Sequence, residues 1–290
     1  MEAFIKPLIA VVGQTASGKS ALAVDLAVQF NGEIICADSR TIYKDMDIGT
    51  SKPDLNPQKK VSHHLLDIVS PDEEFTAADM KIRADRSIKD IQMTNRVPFL
   101  VGGTGLYINS IIYDFRFGPK KDEKTREKLE SMTDTQLTNQ AENLGITQKD
   151  INFLNRRHLV RAIERGGVIK DESKLRQNCI VIGLEVDSET LKKRIAERID
   201  QMIDLGLEDE VKILAGKYGF DAPGMNAIGY KEWRAYFESE QSIDDIKQNM
   251  YKNTWQYARR QKTWFKRDNN INWITSVDDA VRLVEQFLIQ

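Results

Sequence analysis

"VVGQTASGKSALAVDL", Val11 to Leu26, sets the architecture of the chain. Within it, Gly13-Gln14-Thr15-Ala16-Ser17-Gly18-Lys19-Ser20 fits the spacing G-x-x-x-x-G-K-[ST]. An apolar run, Leu8–Val12, leads into it, and a helical pattern over Ala21–Phe30 follows. Strand, glycine-rich turn and helix in that order make a phosphate-binding loop. Backbone N–H groups converge on phosphate oxygens, and the helix N-terminus adds a favourable field. Lys19 brings positive charge to the terminal phosphates, and the Ser20 hydroxyl is the expected ligand of a Mg2+ ion. The loop alone leaves open whether those phosphates are fuel or the handle of a transferred group.

Further apolar runs predict strands at Glu33–Ala37, His64–Val69, Pro98–Val101, Ile180–Val186 and Asn272–Ile274. Helical patterns separate them, so the expected class is α/β with a P-loop NTPase-like, mainly parallel sheet. The stretch 118–178 is polar and without strand signals. It is expected to be an all-helical insertion, with helices starting near Pro119, Thr133 and Thr147, the last capped with Asp150. The core is then residues 1–117 and 179–290, ending in long helices, one over about Ser242 to Phe265.

The bulk numbers bound the function. The chain has 290 residues, 41% hydrophobic and 30% charged, with no run long enough to span a membrane. Two cysteines, Cys36 and Cys179, lie in strand-like runs and are expected as free core thiols of a cytoplasmic protein. No cysteine–histidine cluster has zinc spacing, and the His63–His64 pair is expected to pack and hydrogen-bond at a strand end. A net charge of −2 means that any nucleic-acid surface must be local. No obvious apolar seam is exposed, so a monomer is expected.

An ATPase or GTPase carries a second strand that ends in a metal-supporting Asp. Here the equivalent run, "VPFLVGGTGLY", ends in Gly102, Gly103 and Thr104. A carboxylate appears instead after the second strand, at Asp38 in "EIICADSRTIY", on the sheet edge where open α/β sheets bind ligands. An Asp there acts as a general base toward an acceptor. This favours group transfer from a pyrophosphate-containing donor, although a small-molecule kinase would look similar. Asp45 and Asp47 in "KDMDIG" are read as structural.

The blocks "GQTASGKS", "ADSRTIYKDMDIGTSKP", "HHLLDI", "FTAADM", "VGGTGLYI", "RAIE", "NAIGYKE" and "RRQKTWF" follow one another between about Leu8 and Phe265. In content and order the chain resembles the tRNA dimethylallyltransferases, also called tRNA isopentenyltransferases. The resemblance implies that the loop holds the diphosphate of dimethylallyl diphosphate. The resemblance also implies that the five-carbon group passes to N6 of adenine 37, beside the anticodon of tRNAs that read codons beginning with U. It further implies Asp38 as catalytic carboxylate, Thr104 near acceptor and diphosphate, and Arg198 approaching the diphosphate with Lys19. A free-adenylate isopentenyltransferase shares the loop and the Asp, but would not need "RRQKTWF" or a basic helical insertion.

A stacked loop base must be splayed out before it can react, which calls for a basic and aromatic surface. The resemblance places tRNA contacts at Asp38, Ser39, Arg40, Thr41, Thr104 and Arg126. It also places them at Arg157, His158 and Arg161, at Asn226 to Lys231, and at Arg259, Arg260, Gln261, Trp264 and Lys266, with Gln261 lining the path of the adenine. His158 stands where relatives often carry Arg or Lys, and Asn226 where some carry Arg. No zinc finger follows the last block, which resembles the bacterial form.

Overall fold

Runs too apolar for a solvent-facing surface become the strands of one sheet. They are β1 (Leu8–Gly13), β2 (Gly32–Cys36), β3 (His63–His64), β4 (Val97–Gly102), β5 (Cys179–Leu184) and β6 (Ile271–Ile274). The computed structural model describes residues 7–53, 55–117, 123–149, 151–166 and 174–289. Every strand pair is parallel, in the order β3-β2-β4-β1-β5-β6. Central β1 is buried along its whole length, as a strand covered on both faces must be. Val11 lies in register with Val101 on one side and Ile182 on the other.

The helices are α1 (Lys19–Gln29), α2 (Leu55–Lys60), α3 (Ala77–Met93), α4 (Gly105–Ile112), α5 (Glu123–Ser131) and α6 (Asp134–Asn143). They continue with α7 (Arg156–Glu164), α8 (Ser188–Asp204), α9 (Leu207–Tyr218), α10 (Trp233–Phe237), α11 (Ile243–Phe265) and α12 (Val277–Ile289). Their starts follow from local chemistry. Thr76 with Asp79, Thr133 with Gln136 and Ser242 with Asp245 form capping boxes that satisfy backbone donors at the first turns of α3, α6 and α11.

The chain divides into two compact units, 1–114 with 175–290, and 115–174. The smaller unit is helical among its described residues. Leu129, Leu137, Ala141, Leu159, Val160 and Ile163 form its core. Arg156 ties its helices by donating to Glu130 O and Met132 O at 2.9 and 2.5 Å and by pairing with Asp134.

Two expectations are corrected. The strand expected over His64–Val69 stops at His64, because Leu65 and Asp67 take left-handed backbone (φ 67° and 54°) that ends a ladder. Only a single bridge, Tyr43 to Val69, remains of the rest. No helix starts at Thr147. The chain turns there, and the next helix begins after Asn155, whose side chain accepts from His158 N–H. The starts assigned to Pro119 and to the Asp150 cap lie outside the described residues.

Phe99 is fully buried on β4 against the α1 face of the sheet. Phe99→Ala is expected to lower unfolding free energy by about 3–5 kcal/mol with an unchanged urea m-value, read from equilibrium denaturation.

Candidate active site

The carboxyl ends of β1, β2 and β4 meet one side of a cavity of about 800 Å³. The phosphate loop forms its floor. Ala16 holds φ 60°, a left-handed conformation rare for a residue with a Cβ, and this turns successive loop N–H groups inward. Thr15, Ala16, Gly18, Lys19 and Ser20 line the space, while Gly13, Gln14 and Ser17 lie behind them. Gln14 and Ser17 are buried, and the Ser17 hydroxyl has no partner among the described residues.

Helix α11 is stitched across this edge by two glutamines. Gln14 Nε2 donates to Ala258 O at 3.0 Å. Gln261 accepts from Thr15 N–H at 2.8 Å and donates to Gly103 O at 2.8 Å. Glycine is required opposite: a Cβ on Gly103 would lie 2.3 Å from the Gln261 amide, and one on Gly105 2.4 Å from the Trp264 ring. Gln261 is only 4% exposed. Both ends of its amide are held by backbone, and it is not among the described residues that line the cavity.

Charge is strongly one-sided. Lys19, Arg40, Arg194, Arg198, Lys231 and Arg260 line the cavity, and Asp38 is the one carboxylate among its described lining residues. Arg198 is no solvated helix charge. It donates to Ser51 Oγ at 2.5 Å, and to Thr15 Oγ1 and Thr50 O at 3.3 Å. Burial holds its guanidinium below the usual range, and Asp38 opposes that shift. Arg194, one turn earlier, donates to Ser17 O at 3.0 Å. Burial pushes the Lys19 ammonium down to about 8, with Asp38 pulling it up and Arg198 pushing it down.

The Asp38 carboxylate accepts from Arg40 N–H at 2.8 Å, which fixes the turn after β2. Thr104 reaches across from β4: its Oγ1 accepts from Ser39 N–H at 3.0 Å and donates to Ser39 Oγ at 3.3 Å. Thr104 is thus tied to Ser39 and is not itself among the described lining residues. Tyr257, absent from the sequence reading, hydrogen-bonds to Thr104 and Gln261; burial, then Asp38, push its phenol up to about 12. Its position one turn before Gln261 on α11 is the signal that could have found it. Thr41 also lines the cavity, with a buried hydroxyl that has no partner among the described residues.

The opposite wall rests on Glu210. Its carboxylate accepts from Asp47, Ile48 and Gly49 N–H groups at 2.8–3.1 Å and from the Tyr230 hydroxyl at 2.6 Å. Asp47 is also paired with Lys52 at 2.5 Å, and Asp45 stands 3.7 Å from Lys217, so both carboxylates serve the loop. His63 and His64 hold Val61 O and Glu33, and no metal-binding cluster occurs among the described residues. Both cysteines are free and buried. Of the residues expected at an RNA surface, Arg157, His158 and Arg161 are exposed on one face of α7, joined by Arg165. Arg126, also expected there, pairs its guanidinium with Glu130 and Glu164 at 2.7 and 2.8 Å. Arg259 and Trp264 are exposed, and Lys266 pairs with Glu185 at 3.1 Å.

A Lys19 held near 8 has a consequence for anion binding. Only the protonated form attracts a diphosphate. Affinity for inorganic diphosphate is therefore expected to fall as pH rises from 7.5 to 9.5, through about 8. Lys19→Arg, always charged, should flatten the profile in isothermal titration calorimetry.

A family model described as IPP transferase matches residues 41–268. A tRNA dimethylallyltransferase of Staphylococcus haemolyticus is 39% identical over 92% of this chain and 86% of its own. Another, from Acetivibrio thermocellus, is 39% identical over 92% and 91%. The crystal structure of the full-length tRNA isopentenylpyrophosphate transferase from Bacillus halodurans superposes with a TM-score of 0.76, at 35% identity over 98% and 96% of the two chains. The chain belongs to the IPP transferase family, that of the tRNA dimethylallyltransferases.

Proposed function

We propose that the chain transfers the dimethylallyl group of dimethylallyl diphosphate to N6 of adenine 37, beside the anticodon of tRNAs reading codons that begin with U. The observation that carries this reading is the charge of the cavity: cations surround a phosphate loop, and the one carboxylate among the described lining residues, Asp38, stands just past the end of β2.

The chemistry needs that arrangement. The lone pair of an exocyclic adenine amine is delocalised into the ring, so N6 is a poor nucleophile. As the bond from N6 to C1 of the allyl group forms, Asp38 takes the N6 proton. The bond from C1 to the diphosphate oxygen breaks, and diphosphate leaves. Its developing charge meets donors already in place: loop N–H groups, Lys19, Arg194 and Arg198. The fixed contacts of Arg198 to Thr15, Thr50 and Ser51 support this role, since a preorganised guanidinium need not reorient during reaction. Thr104 holds Ser39, and through it the turn that carries Asp38.

The residues also suit Mg2+. The Ser20 hydroxyl lines the cavity at the start of α1, and no carboxylate cage surrounds it among the described residues. That donor set fits a hydrated ion held chiefly by the substrate's own phosphates. When bound, Mg2+ would neutralise charge on the diphosphate oxygens.

For the tRNA, the exposed basic face of α7 suits an anticodon stem-loop backbone, and Arg40, Lys231 and Arg260 at the cavity suit the loop strand. No described helix is long and apolar enough to cross a membrane, and a tRNA substrate supports a cytoplasmic site of action.

Asp38→Asn keeps an acceptor for Arg40 N–H but loses the base. Its kcat is expected to fall by about 10²–10⁴-fold while inorganic diphosphate binds as in the parent. Near-parental turnover would remove Asp38 from the base role. Arg260→Glu should weaken tRNA binding and lower the slope of log K against log salt by about 1, measured by filter binding at several salt concentrations.

A further inference from the structure

Thr50 and Ser51 line the cavity from the loop that joins β2 to α2. Two helices grip this loop. From α8, Arg198 donates to Ser51 Oγ at 2.5 Å and to Thr50 O at 3.3 Å. From α9, Glu210 holds the three residues just before them. Its Oε2 accepts from Asp47 N–H at 3.0 Å and Ile48 N–H at 2.8 Å. Its Oε1 accepts from Gly49 N–H at 3.1 Å and from the Tyr230 hydroxyl at 2.6 Å. Four donors thus converge on one carboxylate.

The packing around the loop is close. Tyr230 is fully buried, and a Cβ on Gly49 would lie 2.5 Å from its ring. Burial, then Glu210, hold the Tyr230 phenol far above its ordinary value, so the hydroxyl stays a donor to the carboxylate. Ser51 takes left-handed backbone, φ 48°, a conformation that a residue with a Cβ keeps only when its surroundings impose it. Glu210 and Arg198 impose it from the two sides. The opposing charge that Arg198 feels is that of Asp38, so Glu210 reaches Arg198 through the loop backbone. A loop released from Glu210 would free two of the three acceptors, Ser51 Oγ, Thr50 O and Thr15 Oγ1, that fix the guanidinium.

We infer that Glu210, with Tyr230 behind it, is a positioning residue for the leaving diphosphate: it sets the 47–51 loop and, through Thr50 and Ser51, the guanidinium of Arg198. This rests on the diphosphate-donor reading of the cavity given above. A carboxylate that only stabilised the fold would affect diphosphate and tRNA alike, and would act whether or not Arg198 is present.

The test is a double-mutant cycle. Glutamine keeps the shape of Glu210 but has a single carbonyl oxygen, so two of the four donors lose their acceptor. Kd for inorganic diphosphate is measured by isothermal titration calorimetry, and kcat and the KM for tRNA by dimethylallyl transfer, in the parent, Glu210→Gln, Arg198→Ala and the double variant. Glu210→Gln is expected to raise the diphosphate Kd and lower kcat, each about tenfold, with KM for tRNA within about twofold of the parent. In the Arg198→Ala background the same substitution should change Kd by less than about twofold. Tyr230→Phe keeps the ring against Gly49 and removes one hydroxyl. It should give the same pattern at about threefold, and it carries the test if Glu210→Gln does not fold. Parental diphosphate affinity in the folded variants, or an equal loss with and without Arg198, would overturn the assignment. A parent that shows this coupling in diphosphate binding but moves no prenyl group to tRNA would overturn the proposed function and leave the positioning role in place.

Discussion

The active edge depends on one buried amide. Gln261 joins the phosphate loop to the turn after β4 by accepting from Thr15 N–H and donating to Gly103 O. Buried backbone groups without partners cost about 1–3 kcal/mol each, so this side chain holds α11 firmly against the sheet. What α11 brings to this edge follows from that register: Tyr257 beside Thr104, Arg260 at the rim of the cavity, and Trp264 over Gly105. The glycines of "VGGTG" leave room for this helix to approach closely.

The second constraint is electrostatic. A chain of net charge −2 gathers Lys19, Arg40, Arg194, Arg198, Lys231 and Arg260 around one cavity. Repulsion among them is offset by Asp38 and by neutral acceptors: carbonyls of Gln14, Ser17 and Thr50, and hydroxyls of Thr15 and Ser51. Burial lowers both Lys19 and Arg198, and Arg198 lowers Lys19 further; a bound diphosphate would complete the balance. Glu210 lies outside this field and braces the loop that carries Thr50 and Ser51.

What was legible in the sequence was what is local. The loop and its helix declare themselves in eight consecutive residues, and Asp38 is visible because it directly follows an apolar strand. Five of the six strands could be placed from composition, and the long helix expected over about Ser242 to Phe265 is α11. Illegible features depend on partners distant in the chain. Nothing near Arg126 announces Glu164, which holds its guanidinium. Gln261 stands in a basic, aromatic block that reads as surface, yet the crossing of α11 over β4 buries it. The premature end of β3 lies in the left-handed backbone of Leu65 and Asp67, residue types that give no turn signal as glycine would. Thr147 looked like a cap, but the next helix is nucleated at Asn155.

In the proposed reaction, one cavity brings the diphosphate of a prenyl donor to an adenine of tRNA. The most direct measurement supplies labelled dimethylallyl diphosphate and Mg2+ with unmodified tRNA, AMP or ATP as separate acceptors, and locates the label by nuclease digestion. Label in tRNA alone, at the adenine beside the anticodon, is the predicted result. Label in AMP or ATP but not tRNA, or phosphate moving from ATP to a small molecule with no prenyl transfer at all, would contradict it.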